Sequence, residues 1–368
     1  MRDFLLERIS GRLLVQCRPG QAVAAAAVAQ EHDTGLVLTG PAPEPIVRRL
    51  RGNGFDGPIL CDAARYAGRR RVAGRRGIRP AWCRRQRELG LLPLTDSGYL
   101  AYRDFRGLRT ILRAAKAQKP SVVAMLPLAA EWFSYPGILE GLITQIALHG
   151  VPVAVGIEHP ADPFAAQYVV RGFLNLLDSA GVPVLLIRSD AAALGALCHG
   201  AHAAATGADS GLRHIYPLRE TGPPRHAGVS AFVGPLLTYH RLETLERLFR
   251  DAPDHEHLWV CECPSCHGRT PAALAGATAP LDEAARHSVH AQLLLWQDLR
   301  RARTSDALAS TWHEHCTHAL SLHEELTRRS PAGLRSWLKV TEDPFSRSGI
   351  PAQQRSVVRQ RSADRPSG

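Results

Sequence analysis

An α/β fold, arranged as a (β/α)8 barrel with a small subdomain inserted near its C-terminal end, is what this sequence of 368 residues predicts. Three observations carry that expectation. Short apolar runs alternate with helical patterns over the first two thirds of the chain. No G-x-G-x-x-G follows the first run, as a dinucleotide-binding open sheet would carry, and about eight βα units fit within about 250 residues. From about Asp251 the pattern changes: a short charged segment leads into a cysteine-rich stretch, HLWVCECPSCHGRTP, the candidate subdomain.

The strands expected are Leu13–Cys17, Gly35–Leu38, Pro58–Cys61, Ser121–Leu126, Val151–Ile157 and Pro183–Ile187. Most are apolar almost throughout, the pattern of parallel strands buried on both faces. Shorter candidates are Gly98–Ala101, Ala203–Ala205 and Ala231–Leu236. Helices are expected between them at Ala22–Glu31, Glu44–Arg51, Phe105–Ala117, Gly137–His149 and Ala165–Ala180, and later at about Leu281–Ala302 and Ser305–Arg328. The domain plan is a barrel core over 1–250, a metal-binding subdomain over 251–295, helices completing the barrel over 296–342, and a disordered tail over 343–368, rich in Ser, Arg, Pro and Gln.

No apolar run reaches the roughly 18 residues that a membrane helix needs, and the N-terminus lacks a signal-peptide core, so a soluble, cytoplasmic protein without membrane contact is expected. The net charge of +11 favours an anionic partner. It is densest in RYAGRRRVAGRRGIRPAWCRRQR, Arg65 to Arg87, where Tyr66 and Trp82 are interleaved. Guanidinium forks fit phosphates and aromatic rings stack on bases, so this loop is the candidate nucleic-acid contact. A solvated basic loop has the same composition. Of the eight cysteines, Cys17, Cys61 and Cys198 lie in or beside apolar stretches as buried thiols, Cys83 sits in the arginine loop and Cys316 on a helix.

The other three form a metal knuckle. Cys261-Glu-Cys263-Pro-Ser-Cys266 lets three thiolates converge on one ion, with Pro264 and Gly268 favouring the turn. A structural zinc ion needs four Cys or His ligands. His267 is too close to Cys266 to reach around the ion, whereas His287 and His290, one turn apart on the next helix, can both face the knuckle, and His255 and His257 precede it. Four protein ligands leave no open position, which makes the metal structural.

In a barrel, chemistry gathers where strands end, which puts Asp62, Glu158, His159, Ser189 and Asp190 on the catalytic face. Asp190 also suits the cap of the next helix.

The three cysteines, followed by His290-Ala-Gln-Leu-Leu-Leu-Trp, resemble the zinc subdomain of the tRNA-guanine transglycosylase family, which are (β/α)8 barrels with that subdomain near the last helix. Leu94-Thr-Asp-Ser-Gly-Tyr99 is similar to the family's Thr-Asp-Ser-Gly-Gly segment. The likeness covers roughly residues 10–330. It implies His290 as the fourth zinc ligand, Asp96 in the active site with Ser97 and Gly98 beside it, and a homodimer through the zinc region. It also implies base exchange: an aspartate attacks ribose C1′, guanine leaves, and a 7-deazaguanine-type base takes its place, with a second acid shuttling protons. The family's nucleophile segment Gly-x-Asp-x-x-Asp reads Gly207-Ala-Asp209-Ser-Gly-Leu212 here, so Asp209 is the candidate nucleophile and Leu212 stands for the second aspartate. The family's base-binding aspartate has no counterpart in Met125-Leu-Pro-Leu128, and its Gln-Gly-Gly is Gly156-Ile-Glu158-His159 here, leaving Glu158, His159 and Asp190 as candidate substrate-binding groups. The readings are therefore a divergent transglycosylase acting on tRNA or DNA, a zinc-containing nucleic-acid-binding barrel without catalysis, and a barrel hydrolase of like architecture. Convergence of Asp96 with Asp209 or Asp62 in one pocket is the mark of the first.

Overall fold

A computed structural model describes residues 4–118, 122–218, 228–327 and 330–342; the expected tail 343–368 lies outside them. After a short turn of helix, α1 (Phe4–Glu7), the chain alternates strand and helix: β1 (Arg12–Cys17), α2 (Ala22–Glu31), β2 (Leu36–Thr39), α3 (Glu44–Gly52) and β3 (Ile59–Asp62). Then come α4 (Pro80–Glu88), α5 (Phe105–Lys116), β4 (Ala124–Ala129), α6 (Pro136–His149), β5 (Val153–Glu158), α7 (Gln167–Ser179), β6 (Val184–Ser189), α8 (Ala192–Cys198) and β7 (Ala203–Gly207). The six longer expected strands and the five early helices fall on these elements to within a few residues, because apolar runs punctuated by Gly and Pro leave little choice of period. The arginine stretch was expected as loop throughout, yet Pro80 opens α4 inside it, fixing φ at the first helical position where no amide bond is lost.

All seven strands are parallel and lie in the order β3-β2-β1-β7-β6-β5-β4. β1 pairs with both β2 and β7, for example Val15 with Leu36 and Thr206, so the first parallel strand meets the last. The sheet curls. Among the described residues its edge strands β3 and β4 do not pair, so the closed eight-stranded barrel expected from the sequence is not formed by the ladder.

Residues 94–100 follow β4 only through the isolated parallel bridges Leu94↔Val123 and Leu100↔Leu128. There are local reasons. Pro127 has no amide to donate, and the Met125 amide bonds the Thr95 hydroxyl at 2.8 Å. On the other side Gln86 of α4 replaces a neighbouring strand: its carboxamide accepts from the Leu94 amide and donates to the Leu94 carbonyl, each at 3.0 Å. The expected strand Gly98–Ala101 is reduced to the bridges at Tyr99 and Leu100.

Beyond β7, the residues expected as Ala231–Leu236 become β8 (Ser230–Val233), paired antiparallel with β9 (Thr238–Arg241) in a separate hairpin. There follow α9 (Leu242–Asp251), α10 (Glu256–Trp259), the knuckle, and the long helices α11 (Pro280–Leu299), α12 (Ser305–Thr327) and α13 (Ala332–Glu342). One hydrophobic core runs through the sheet and its helices. A second joins Ala231, Leu236, Leu245, Trp259, Leu274 and Ala284 around Cys263 and Cys266. No helix among the described residues is long and apolar enough to cross a membrane. All eight cysteines are free thiols, and Cys83 and Cys316 are buried along with Cys17, Cys61 and Cys198.

Candidate metal centre and the carboxyl face of the sheet

The knuckle closes on itself before it meets any other element. The Cys266 and His267 amides both donate to the Cys263 carbonyl at 3.0 Å, and the Gly268 amide returns to the Cys261 carbonyl at 3.1 Å. His267 and Gly268 take left-handed φ of 51° and 73°, which turns the chain and leaves the His267 side chain outside, exposed.

The fourth donor comes from α11. His287 Nδ1 lies 3.5 Å from Cys261 Sγ, 3.5 Å from Cys263 Sγ and 3.2 Å from Cys266 Sγ. The edges of a tetrahedron with metal–sulfur and metal–nitrogen bonds of ordinary length are about 3.6 Å, so the four atoms are already spaced for one ion. The other ring nitrogen, Nε2, is 2.8 Å from the Phe232 carbonyl of β8. Donation there fixes the tautomer and turns the Nδ1 lone pair toward the sulfurs. Cys263 is pulled toward thiolate by hydrogen bonds from Cys261 and Cys266. Burial lowers His287, but the Cys261 and Cys263 sulfurs outweigh it and carry it up to about 9, so an ion binding through Nδ1 displaces a proton from it. Cys261, Cys263, Cys266 and His287 can thus hold a metal ion.

His290, the ligand implied by the resemblance, is not the fourth. Three residues further along α11 it points to α2 instead, where its Nδ1 meets His32 Nε2 at 2.9 Å and its Nε2 lies 3.5 Å from Glu31. A step of three residues rotates a side chain by about 60° and lifts it one turn, enough to change partners.

On the carboxyl face, the candidate carboxylates do not converge; Asp96, Asp209, Asp62 and Glu158 are each paired with arginine, and Asp190 with a backbone amide. Asp96 is fully buried; Oδ1 accepts the Arg79 amide at 2.8 Å, and Oδ2 takes the Arg65 and Arg79 guanidinium groups. Asp209 follows β7 and pairs with Arg18 at 3.0 Å, the two side chains 24% and 52% exposed. Asp62 is buried beneath Gln16, Thr39, Tyr66 and Arg188, with the Tyr66 hydroxyl donating at 2.7 Å. Glu158 accepts from Tyr99 and Arg71.

Ser97 bonds Thr95 at 2.8 Å, and Gly98 is needed for close approach, since a Cβ there would meet the Val72 and Ala73 carbonyl oxygens at 2.5 Å. His159 accepts the Ala161 amide. Asp190 accepts the Ala192 amide at 3.2 Å in the turn before α8, one residue ahead of the cap position expected for it, which Ala191 fills. Arg188, at φ 53°, is the residue that sequence reasoning missed; only its place in a strand-end Arg-Ser-Asp signalled it.

The aromatics of the arginine segment are not free to stack on bases. Tyr66 and Trp82 are each 1% exposed, the first bound to Asp62 and Arg188, the second donating to the Leu94 carbonyl. Arg69, Arg70, Arg75, Arg76 and Arg84 are exposed. Two other aromatics, Tyr102 and Tyr135, are 36% and 62% exposed with ring centroids 6.5 Å apart, and Arg103 lies over the Tyr102 ring. Comparison with protein-family models, curated proteins and solved structures finds no match.

Proposed function

We propose that this chain is a zinc-stapled, nucleic-acid-directed barrel of the transglycosylase type, exchanging guanine in tRNA or DNA for a 7-deazaguanine. One conjunction carries the reading: a Cys3His cluster clamped onto the helix after a curled sheet whose first and last parallel strands pair. Zinc suits three sulfurs and one nitrogen, and with four protein ligands its role is to hold β8, the knuckle and α11 together. The eight-stranded barrel is the finer form of the sheet, with residues 94–100 in the eighth place.

Exposed arginines of the 69–84 stretch supply phosphate contacts, and Tyr102 with Tyr135 supplies a stacking platform. The chemistry falls to Asp209. Its carboxylate attacks C1′, the glycosidic bond breaks with its electron pair leaving on guanine, and guanine takes up a proton. The incoming base then attacks C1′ through nitrogen, loses a proton and releases the carboxylate. Arg18, half exposed, is free to swing aside. Asp96, saturated by Arg65 and Arg79, anchors the arginine segment and leaves the proton shuttle to other groups.

That saturation, and the separation of Asp96 from Asp209 and Asp62, favour a second reading, a barrel that binds nucleic acid without exchanging its bases. Denaturing gels after incubation with tRNA or duplex DNA separate the two. An adduct that disappears in Asp209→Ala supports exchange. Salt-sensitive binding with no adduct leaves the second reading, and absence of binding to either nucleic acid ends both. The homodimer that the resemblance implies is a further proposal, read out by light scattering.

A further inference from the structure

Helix α5 has two unlike faces. Leu108, Ile111, Leu112 and Ala115 point into the core and are fully buried, while Arg106, Arg109, Arg113 and Lys116 are exposed on the other side. Steps of three, four and three residues keep these cations in one row, about 15 Å long at the helical rise. The helix contains no acid. Asp104, just ahead of it, is engaged in the cap, where Oδ1 accepts the Gly107 amide at 2.9 Å. α6, packed beside α5, carries a single acid, Glu140.

The turn Gly74–Arg76 packs against the same helix, and a Cβ on Gly77 would lie 3.4 Å from the Thr110 methyl. Arg75 and Arg76, both exposed, therefore widen the row and join it to the arginine segment. Among the described residues, no ion pair ties any of these six cations to a carboxylate. Like charges three and four residues apart repel within a helix, so the row is an unfavourable arrangement that the chain leaves unanswered.

We propose that the outer face of α5, flanked by Arg75 and Arg76, is a docking surface for the phosphate backbone of a nucleic-acid duplex. The inference rests on the nucleic-acid reading above and names a surface that uses neither Asp209 nor Asp96. Phosphates follow one another about every 3.4 Å of axis along a strand, so a row of this length meets about four of them. Guanidinium forks fit their oxygens.

A duplex suits the face better than the other anionic partners. No aromatic ring lies among the outward positions of α5, and single strands bind where rings stack on their bases. A bilayer is the poorer partner, because the apolar side of α5 that would enter it is buried in the core. Phosphate contacts carry no sequence information, so binding through this face is indifferent to sequence.

Fluorescence anisotropy with the full chain tests the proposal, using DNA and RNA duplexes in two unrelated sequences each, over roughly 50 to 200 mM salt. The triple variant Arg106→Gln, Arg109→Gln, Arg113→Gln removes three exposed charges and keeps helix propensity; circular dichroism checks its fold. Arg300→Gln, Arg303→Gln, Arg335→Gln removes the same charge from exposed positions elsewhere. Wild type should bind both sequences alike. The α5 triple should bind at least about tenfold more weakly, with a slope of log affinity against log salt shallower by about 3. The control triple should keep the wild-type slope to within about 1.

Equal weakening in both triples, or full binding by the folded α5 triple, would overturn this surface and leave nucleic-acid binding itself standing. Tighter binding to vesicles of anionic lipid than to duplex, lost in the same triple, would overturn it in favour of a membrane. No binding of the wild type to either duplex would remove both this inference and the reading beneath it.

Discussion

The cysteine knuckle and the carboxyl face are both clusters of titratable side chains, assembled in opposite ways. At Cys261, Cys263, Cys266 and His287, four donor atoms turn toward one point. At the strand ends every candidate carboxylate has a cation or hydrogen-bond donor already in place: Arg65 and Arg79 on Asp96, Arg18 on Asp209, Arg188 on Asp62, Arg71 on Glu158. Three sulfurs and one imidazole nitrogen gathered within one coordination sphere can hold an ion. Carboxylates that are individually neutralised are holding loops in place, and the least buried of these pairs, Asp209 with the half-exposed Arg18, is the one released at least cost. Surface ion pairs are worth about 0–1 kcal/mol, whereas breaking a buried one costs about 3–5 kcal/mol.

The contrast predicts effects of falling size. Chelating the metal should do most, since structural zinc contributes on the order of 10 kcal/mol in small sites. Hydrogen exchange should then rise in β8, β9, α9 and the knuckle while β1–β7 keep their protection; equal loss throughout the chain would mean the two regions are not distinct. Arg188→Ala comes next, because it strands the buried Asp62, at about 3–5 kcal/mol in urea unfolding. A smaller loss of about 1–3 kcal/mol is expected for Gly195→Ala, whose Cβ would meet Trp337 and Trp312 at 2.8 and 2.9 Å where α8 packs on α12 and α13. Arg18→Ala should cost less than about 1 kcal/mol and still leave Asp209 in place. A large loss there would make the Arg18–Asp209 pair structural and weaken the case for Asp209 as nucleophile.

How far the sequence could be read follows the same division. The knuckle was readable because Cys261, Cys263 and Cys266 act within one turn of chain, where spacing is geometry. Its fourth ligand was not: His287 and His290 differ by one helical turn, and the choice depends on β8 offering the Phe232 carbonyl to one and α2 offering His32 to the other. Strands buried on both faces announced themselves by continuous apolar runs. The gap beside residues 94–100 did not, because it depends on Gln86 imitating a strand from within an arginine-rich helix. Arginine composition likewise hid two populations, Arg65, Arg71 and the half-exposed Arg79 paired with carboxylates, and Arg69, Arg70, Arg75, Arg76 and Arg84 left outward. No residue-type pattern separates them, since the difference lies in what the fold brings opposite each one.

The most direct test of the metal centre is zinc content per chain, by elemental analysis, in the wild type, His287→Ala and His290→Ala after dialysis against a weak chelator. One zinc is expected in the wild type and in His290→Ala, with loss or strong depletion in His287→Ala. Depletion in His290→Ala with retention in His287→Ala would contradict the site as it is built here.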